Sequence, residues 1–272
     1  MIWIFMENHG YGQIIGNSAA PFLNSLAATC GLVTDYHNVT HPSLPNYLSA
    51  TSGLELEQGS DCLPTACPQQ AKSLFAQVAA SGREWRAYEE SMSANCQKSD
   101  GGGYIAHHNP AAYYTPLAAQ CAKWDVRMGS ASGGNFLNAL KNNSLPAFSF
   151  VTPSQCHVMG SCGIGAGDSW LASWFGVIAN SAAYKAGHTA IFVTFDEGGT
   201  PHHSANCVTA STADCHVATW VVAPSVPHGR RSSTGTEYTH YSLLLTTEQM
   251  LGIAAHLGNA AHAVSLRSPF KL

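Results

Sequence analysis

Ala190 to Gly199 reads A-I-F-V-T-F-D-E-G-G, a β-branched and aromatic run that ends abruptly in two carboxylates and two glycines. Such a run forms a buried strand, and polar residues at its carboxyl end line a site when the sheet is parallel. The same grammar opens the chain. Ile2 to Met6 is apolar and is followed by Glu7, Asn8, His9 and Gly10. Working outward, Phe22 to Thr29 reads as a helix stopped by Gly31, and Gly31 to Val39 as the next strand. Lys72 to Ser81 is an amphipathic helix closed by Gly82, and Phe136 to Leu140 is helical. Ala147 to Thr152 is a strand, Asp168 caps a helix through Ile178, Thr219 to Val222 is a strand, and Tyr241 to Leu257 is a long closing helix. Strands alternating with helices give an α/β fold, a mixed but mainly parallel sheet between helices. Residues 1–272 are expected to form a single domain, with an irregular Gly-, Ser- and Asn-rich insertion at about 85–135 roofing the site.

Composition narrows the function classes. A net charge of −4 with 10% charged residues excludes the basic surface that nucleic acid or an anionic membrane requires. No apolar run reaches membrane-spanning length. Nine cysteines point to an oxidising compartment. Cys62/Cys67, Cys96/Cys121, Cys156/Cys162 and Cys207/Cys215 are neighbours in loop-like segments and are expected to pair, which leaves Cys30 as a buried free thiol, although spacing does not fix connectivity. No leader is visible, so a trimmed, secreted mature chain is expected.

Val39 to Gly53, V-T-H-P-S-L-P-N-Y-L-S-A-T-S-G, places chemistry at a helix start. Pro42 and Pro45 disfavour helix before them, so the helix begins near Leu44 to Asn46 and Gly53 stops it. Ser43 then faces unpaired N–H groups and the positive end of the dipole, an environment suited to phosphate and to a developing alkoxide. An N-cap serine would look the same from this stretch alone. Asp196 beside Glu197 calls for a cation or strong donors nearby, and Glu7 and Asn8 supply further oxygen ligands if the first strand lies beside the later one. D-E-G-G is also an ordinary acidic turn.

E-N-H-G-Y-G-Q-I-I-G, T-H-P-S-L-P-N-Y-L-S-A-T-S-G, W-R-A-Y-E-E-S-M, H-H-N-P-A-A-Y-Y, G-D-S-W-L, F-D-E-G-G and H-Y-S-L-L-L-T-T-E-Q-M-L-G stand in one order between about Ile2 and Gly252. Together they resemble the bacterial phosphoesterase family of secreted acid phosphatases and phospholipases C, within the alkaline phosphatase superfamily. The resemblance implies a three-layer α/β/α sandwich. It matches Glu7, Asn8, Asp196 and Glu197 to metal-binding positions for one divalent ion of unspecified identity. Ser43 takes the nucleophile position, with Thr40 as the fallback. His108, His203 and His240 match polar, catalytic pocket positions, and Asn46, His107 and Thr40 are expected to contact substrate. A sulfatase is disfavoured because the Cys/Ser-x-Pro-x-Arg signature is absent.

The departures concern charge and ligands. Relatives read something like C-N-D-M-H where this chain has Cys156-His157-Val158-Met159-Gly160, so an acidic and a histidine ligand are missing. His107 and Leu245 stand where Lys or Arg is common. The expected activity is metal-assisted hydrolysis of a phosphate monoester through phosphoserine, with His240 or His203 moving protons. A phospholipase C acting on a phospholipid diester, and a non-catalytic phospholipid- or phosphosugar-binding protein on the same fold, are the alternatives.

Overall fold

The structure, a computed structural model, describes residues 1–55, 60–199, 207 and 212–272. Its strands are β1 (Ile2–Met6), β2 (Gly31–Val33), β3 (Tyr36–His37), β4 (Trp85–Glu89), β5 (Asp125–Arg127), β6 (Phe148–Thr152), β7 (Ile191–Phe195), β8 (Thr219–Val222) and β9 (Tyr238–Thr239). Seven of them form one sheet in the order β2-β8-β7-β1-β6-β4-β5. The central strand β1 is parallel to β6 and β7, and β4 is parallel to β5 and β6, while β8 runs antiparallel to β7 and β2. β3 and β9 make a separate parallel pair.

Residues in register share a face, which places the helical layers. Trp3 and Phe5 point to one side. Trp3 Nε1 donates to Thr247 Oγ1 at 3.0 Å in the helix His240–Met250, and Phe5 packs on Tyr47 of the helix Ser43–Ser52. Ile4, in register with Val151 and Val193, points to the other. On that side Tyr88, in register with Val151, packs on Phe136 of the helix Asn135–Lys141, and Trp220, in register with Val193, donates to Leu23 O of the helix Pro21–Thr29. The fold is the expected α/β/α sandwich, with aromatic layers buried on both faces of the sheet.

Four elements differ from the expectations. The segment 85–135 is not an irregular insertion throughout, because β4 and β5 extend the sheet by two strands beyond β6 at one edge. W-R-A-Y-E carries charge and is short, and its pairing is decided by β6 rather than by its own pattern. The expected strand Gly31–Val39 divides between β2 and β3 as the chain moves from one sheet to the other. Asp168 lies within the helix Ile164–Ile178, and its carboxylate instead caps Pro21–Thr29 by accepting from Phe22 N and Leu23 N at 2.9 and 2.8 Å. The closing helix stops at Met250, after which Glu248 accepts from Leu257 N at 2.9 Å and folds the chain back. The four expected disulfides are formed, and Cys30 is a half-buried free thiol.

Candidate active site

The β1–β7 register pairs Met6 with Phe195, so Glu7-Asn8 and Asp196-Glu197 leave the sheet side by side. Asp196 N donates to Met6 O at 2.9 Å, and Asp196 Oδ1 accepts from Asn8 N at 3.0 Å and from Glu197 N at 2.8 Å. Asn8 takes up a left-handed conformation with φ 55°, one that asparagine tolerates. A side chain at Gly199 would collide with the Asn8 carbonyl, and one at Gly198 with the backbone of Asp214. The two glycines of D-E-G-G thus let three loops meet backbone to backbone.

The resulting acidic cluster is under strong repulsion. Burial, then the charges of Glu197 and Glu7, push the Asp196 carboxyl well above the usual range. Burial, then Asp61, Glu7 and Asp214, push Glu197 up to about 9. Asp196 Oδ2 is buried without a hydrogen-bond partner. An orphaned carboxylate oxygen among mutually repelling acids, with an amide side chain alongside, suits a hard cation. Glu7, Asn8, Asp196 and Glu197 thus offer the kind of oxygen donors that a divalent ion takes.

The helix Ser43–Ser52 begins at Ser43, one residue before the expected start, and ends on Gly53 in the left-handed conformation. All ten of its residues are buried, so the helix is a core element that carries its N-terminus into the site. Ser43 sits against Asp196 and eases ionisation of that carboxyl. Asn46 organises the turn before the helix: its Oδ1 accepts from Val39 N and Thr40 N, and its Nδ2 donates to Thr40 O and Glu197 Oε2. Thr40 is 9% exposed and is held beside Ser43 by these bonds.

The histidines take distinct places. His108 stacks on Tyr47 and its Nε2 lies 3.0 Å from Glu7 Oε1. Burial alone would lower its pKa, but the hydrogen bond and charge of Glu7 outweigh this and the net shift is upward. His107 is pushed down by burial and by the charge of His108. Glu7, His107 and His108 bring ligand atoms within 4.8 Å of one another. His240 is fully buried behind Asp196. It donates Nε2–H to Asp196 O at 2.7 Å, so Nδ1 accepts from Tyr36 OH at 3.1 Å, and burial lowers its pKa to about 4. His203 lies outside the described residues.

Sequence reasoning passed over His41 and Asp61. His41 Nδ1 stands 3.0 Å from Glu197 Oε2, with Asp214 on its other side at 3.7 Å. Its place in T-H-P-S, next to Ser43, was the available signal. Asp61 Oδ1 accepts from Leu44 N at 2.9 Å, a contact across the chain with no local signature. In the departure segment, Val158 is buried and its carbonyl accepts from Glu7 N at 3.0 Å. A Cβ on Gly160 would stand 2.9 Å from Glu7 Oε2, so this position borders the acidic cluster but offers it no ligand.

Residues 15–254 match the Phosphoesterase family. The chain belongs to that family. It is a phosphoric ester hydrolase of the phosphoesterase family on an alkaline phosphatase-like fold. Among curated relatives, it is 27% identical to the phosphatidylinositol-3-phosphatase of Mycobacterium tuberculosis over 93% of this chain and 77% of that one. It is 24% identical to an acid phosphatase of Aspergillus fumigatus over 92% of this chain, and spans 54% of that longer protein. A solved structure of an alkaline phosphatase superfamily protein from Vibrio parahaemolyticus superposes with a TM-score of 0.66 at 12% identity, covering 99% of this chain and 71% of that one. The phosphoesterase assignment thus rests on sequence, and this last likeness on fold.

Proposed function

We propose that the chain is an exported phosphatase that hydrolyses a phosphate monoester through a phosphoserine intermediate on Ser43. The observation that carries this reading is the meeting of Glu7, Asn8, Asp196 and Glu197 at the ends of β1 and β7 with the start of the helix Ser43–Ser52 against Asp196. A divalent ion bound by those four residues would supply positive charge to phosphate and to the Ser43 oxygen. Ser43 Oγ passes its proton to the Asp196 carboxylate against which it sits and attacks phosphorus in line, forming the O–P bond as the ester O–P bond breaks. The proton returns to Ser43 Oγ when water cleaves phosphoserine. His108, whose positive charge Glu7 favours, faces the site and protonates the leaving oxygen, then takes a proton from the water that cleaves phosphoserine. His240 holds the Asp196 backbone and stays neutral, so it acts as a positioning residue rather than in the proton-transfer role expected of it. In this reading His107 and Thr40 contact the substrate, while Asn46 sets the turn.

The four disulfides support export. Among the described residues no helix is long and apolar enough to cross a membrane. A phosphorylated lipid headgroup is a second substrate reading, favoured by the relative named for phosphatidylinositol 3-phosphate. Turnover of a chromogenic monoester, its bis-ester analogue and phosphoinositide vesicles tests all of this. Monoester turnover is expected. Preference for the bis-ester would point to the phospholipase C alternative, and binding without turnover to a non-catalytic protein.

A further inference from the structure

Glu89, Asn109 and Asp125 form a second acidic cluster, away from the carboxylates that follow β1 and β7. Glu89 ends β4, Asp125 opens β5, and Asn109 follows the short helical turn Ala106–His108. Ala87 pairs with Asp125 and Glu89 with Arg127, so the Glu89 and Asp125 side chains project from the same face of the sheet. All three residues are 0% exposed.

Hydrogen bonding accounts for only part of their oxygen atoms. Thr152 Oγ1 donates to Glu89 Oε1 at 3.1 Å. Asn109 Nδ2 donates to Asp125 Oδ2 at 2.9 Å and to Tyr104 OH at 3.1 Å. Tyr104 in turn donates to Gln97 O at 2.8 Å, so it must accept from Asn109, which fixes the amide orientation. Glu89 Oε2, Asn109 Oδ1 and Asp125 Oδ1 are then each buried with no partner. Asn109 is the observation beyond the acids themselves: its amide is locked by both its hydrogens, and its lone-pair oxygen is left bare within the cluster. Among the described residues no Lys, Arg or His forms an ion pair with Glu89 or Asp125, and Arg127, in register with Glu89, is exposed.

We propose that Glu89, Asn109 and Asp125 bind a calcium ion through these three oxygens. Two carboxylates and a carboxamide make an all-oxygen donor set, which selects a hard cation. Donors from three separate segments favour the tolerant coordination of Ca²⁺ over the strict octahedron of Mg²⁺. Glu89 also borders a cleft of about 410 Å³ with Ser91, Arg127, Gly129 and Asn135. Without the ion, burial and then the charge of Asp125 raise the Glu89 carboxyl well above its usual range, and burial raises Asp125 to about 7, so that a proton competes with calcium. Thr152 Oγ1 also lies 3.3 Å from His108 O, so the site braces the segment that carries His107 and His108.

This proposal does not rest on the catalytic reading. Asp196→Asn removes the charge expected to hold the other ion, and in that background the chelator-stripped full chain is titrated with Ca²⁺ by calorimetry and by thermal unfolding. One equivalent of Ca²⁺ and a Tm rise of at least ~3 °C at millimolar Ca²⁺ are expected, with both lost on adding Glu89→Gln or, independently, Asp125→Asn. Equal Ca²⁺ uptake with and without Glu89→Gln would overturn the site. So would no uptake in either protein combined with a Ca²⁺-independent gain in Tm from Glu89→Gln, the signature of two carboxyls sharing a proton.

Discussion

Asp61 Oδ1 accepts a 2.9 Å hydrogen bond from the amide of Leu44, the residue after Ser43. A carboxylate of the chain itself thus sits on a helix-start N–H where a substrate phosphate oxygen would be favoured. The loop is pinned by the Cys62–Cys67 bridge and by Tyr113 OH, which donates to Cys62 O at 2.6 Å. Asp61 therefore competes with phosphate. Asp61→Asn is expected to tighten inhibition by inorganic phosphate by ~3–10-fold, the equivalent of roughly one charge interaction at a helix N-terminus. The measurement is the phosphate inhibition constant at fixed pH. Weaker inhibition in the variant would mean that Asp61 orients substrate instead.

Ser43→Ala is expected to lower kcat by at least ~10³-fold with the fold intact, since loss of a covalent nucleophile removes the chemical step itself. Single-turnover assays with circular dichroism as the folding control check this. A variant keeping a tenth of wild-type activity would move the role to Thr40, and Thr40→Val would then carry the defect.

The adjacency of Glu7-Asn8 and Asp196-Glu197 was legible because two apolar runs of strand length end in the same kind of polar residues, and parallel register does the rest. The helix at Ser43 was legible from its prolines and Gly53. β4 and β5 were not, since Arg86, Glu89 and Asp125 break the apolar pattern and only the neighbouring strand decides their pairing. Nor was Asp168, whose hydrogen bonds reach a helix 145 residues away. The environment of His240 was equally hidden: H-Y-S marks a polar position, but Tyr36 and the Asp196 carbonyl, which occupy both ring nitrogens, come from distant strands and strand ends.

His240 has a consequence for pH. Its folded pKa is about 4, below the ~6.5 of an unfolded chain, so between those values the unfolded state binds more protons. The stability that neutral His240 contributes is present above ~6.5 and is lost as pH falls toward about 4, on the order of 3 kcal/mol in all. His240→Gln is expected to be less stable than wild type at pH 7.5 but to lose less on acidification, as read from urea midpoints at pH 7.5 and 4.5. Equal slopes in the two proteins would show that His240 is not the group being titrated. Its activity profile should also keep the wild-type alkaline limb, whereas His108→Gln should displace that limb, because His108 must be protonated to serve the leaving oxygen and Glu7 raises its pKa.

The β1–β7 acids should hold one tightly bound metal ion. Glu7, Asn8, Asp196 and Glu197 would provide its oxygen ligands, among which Oδ2 of Asp196 is buried and unpartnered. A second ion of the kind seen in two-metal hydrolases would need ligands from the segment after β6. There Val158 contributes only its carbonyl, to Glu7 N, and Gly160 has no side chain. His157 is drawn away, with Nδ1 2.8 Å from Glu90 Oε2, and His240 has both nitrogens committed. His107 and His108 approach Glu7, but His108 already shares a proton with Glu7 Oε1 and a metal there would have to displace it. Elemental analysis after dialysis against calcium-free buffer is expected to give about one equivalent, and Asp196→Ala should remove both the ion and the activity. Since burial, and then the charges of Glu197 and Glu7, raise the Asp196 carboxyl, affinity should also fall as pH drops and protons compete for that oxygen. Two tight equivalents, with the second lost on His107→Ala, would instead make Glu7, His107 and His108 the other half of a two-metal centre.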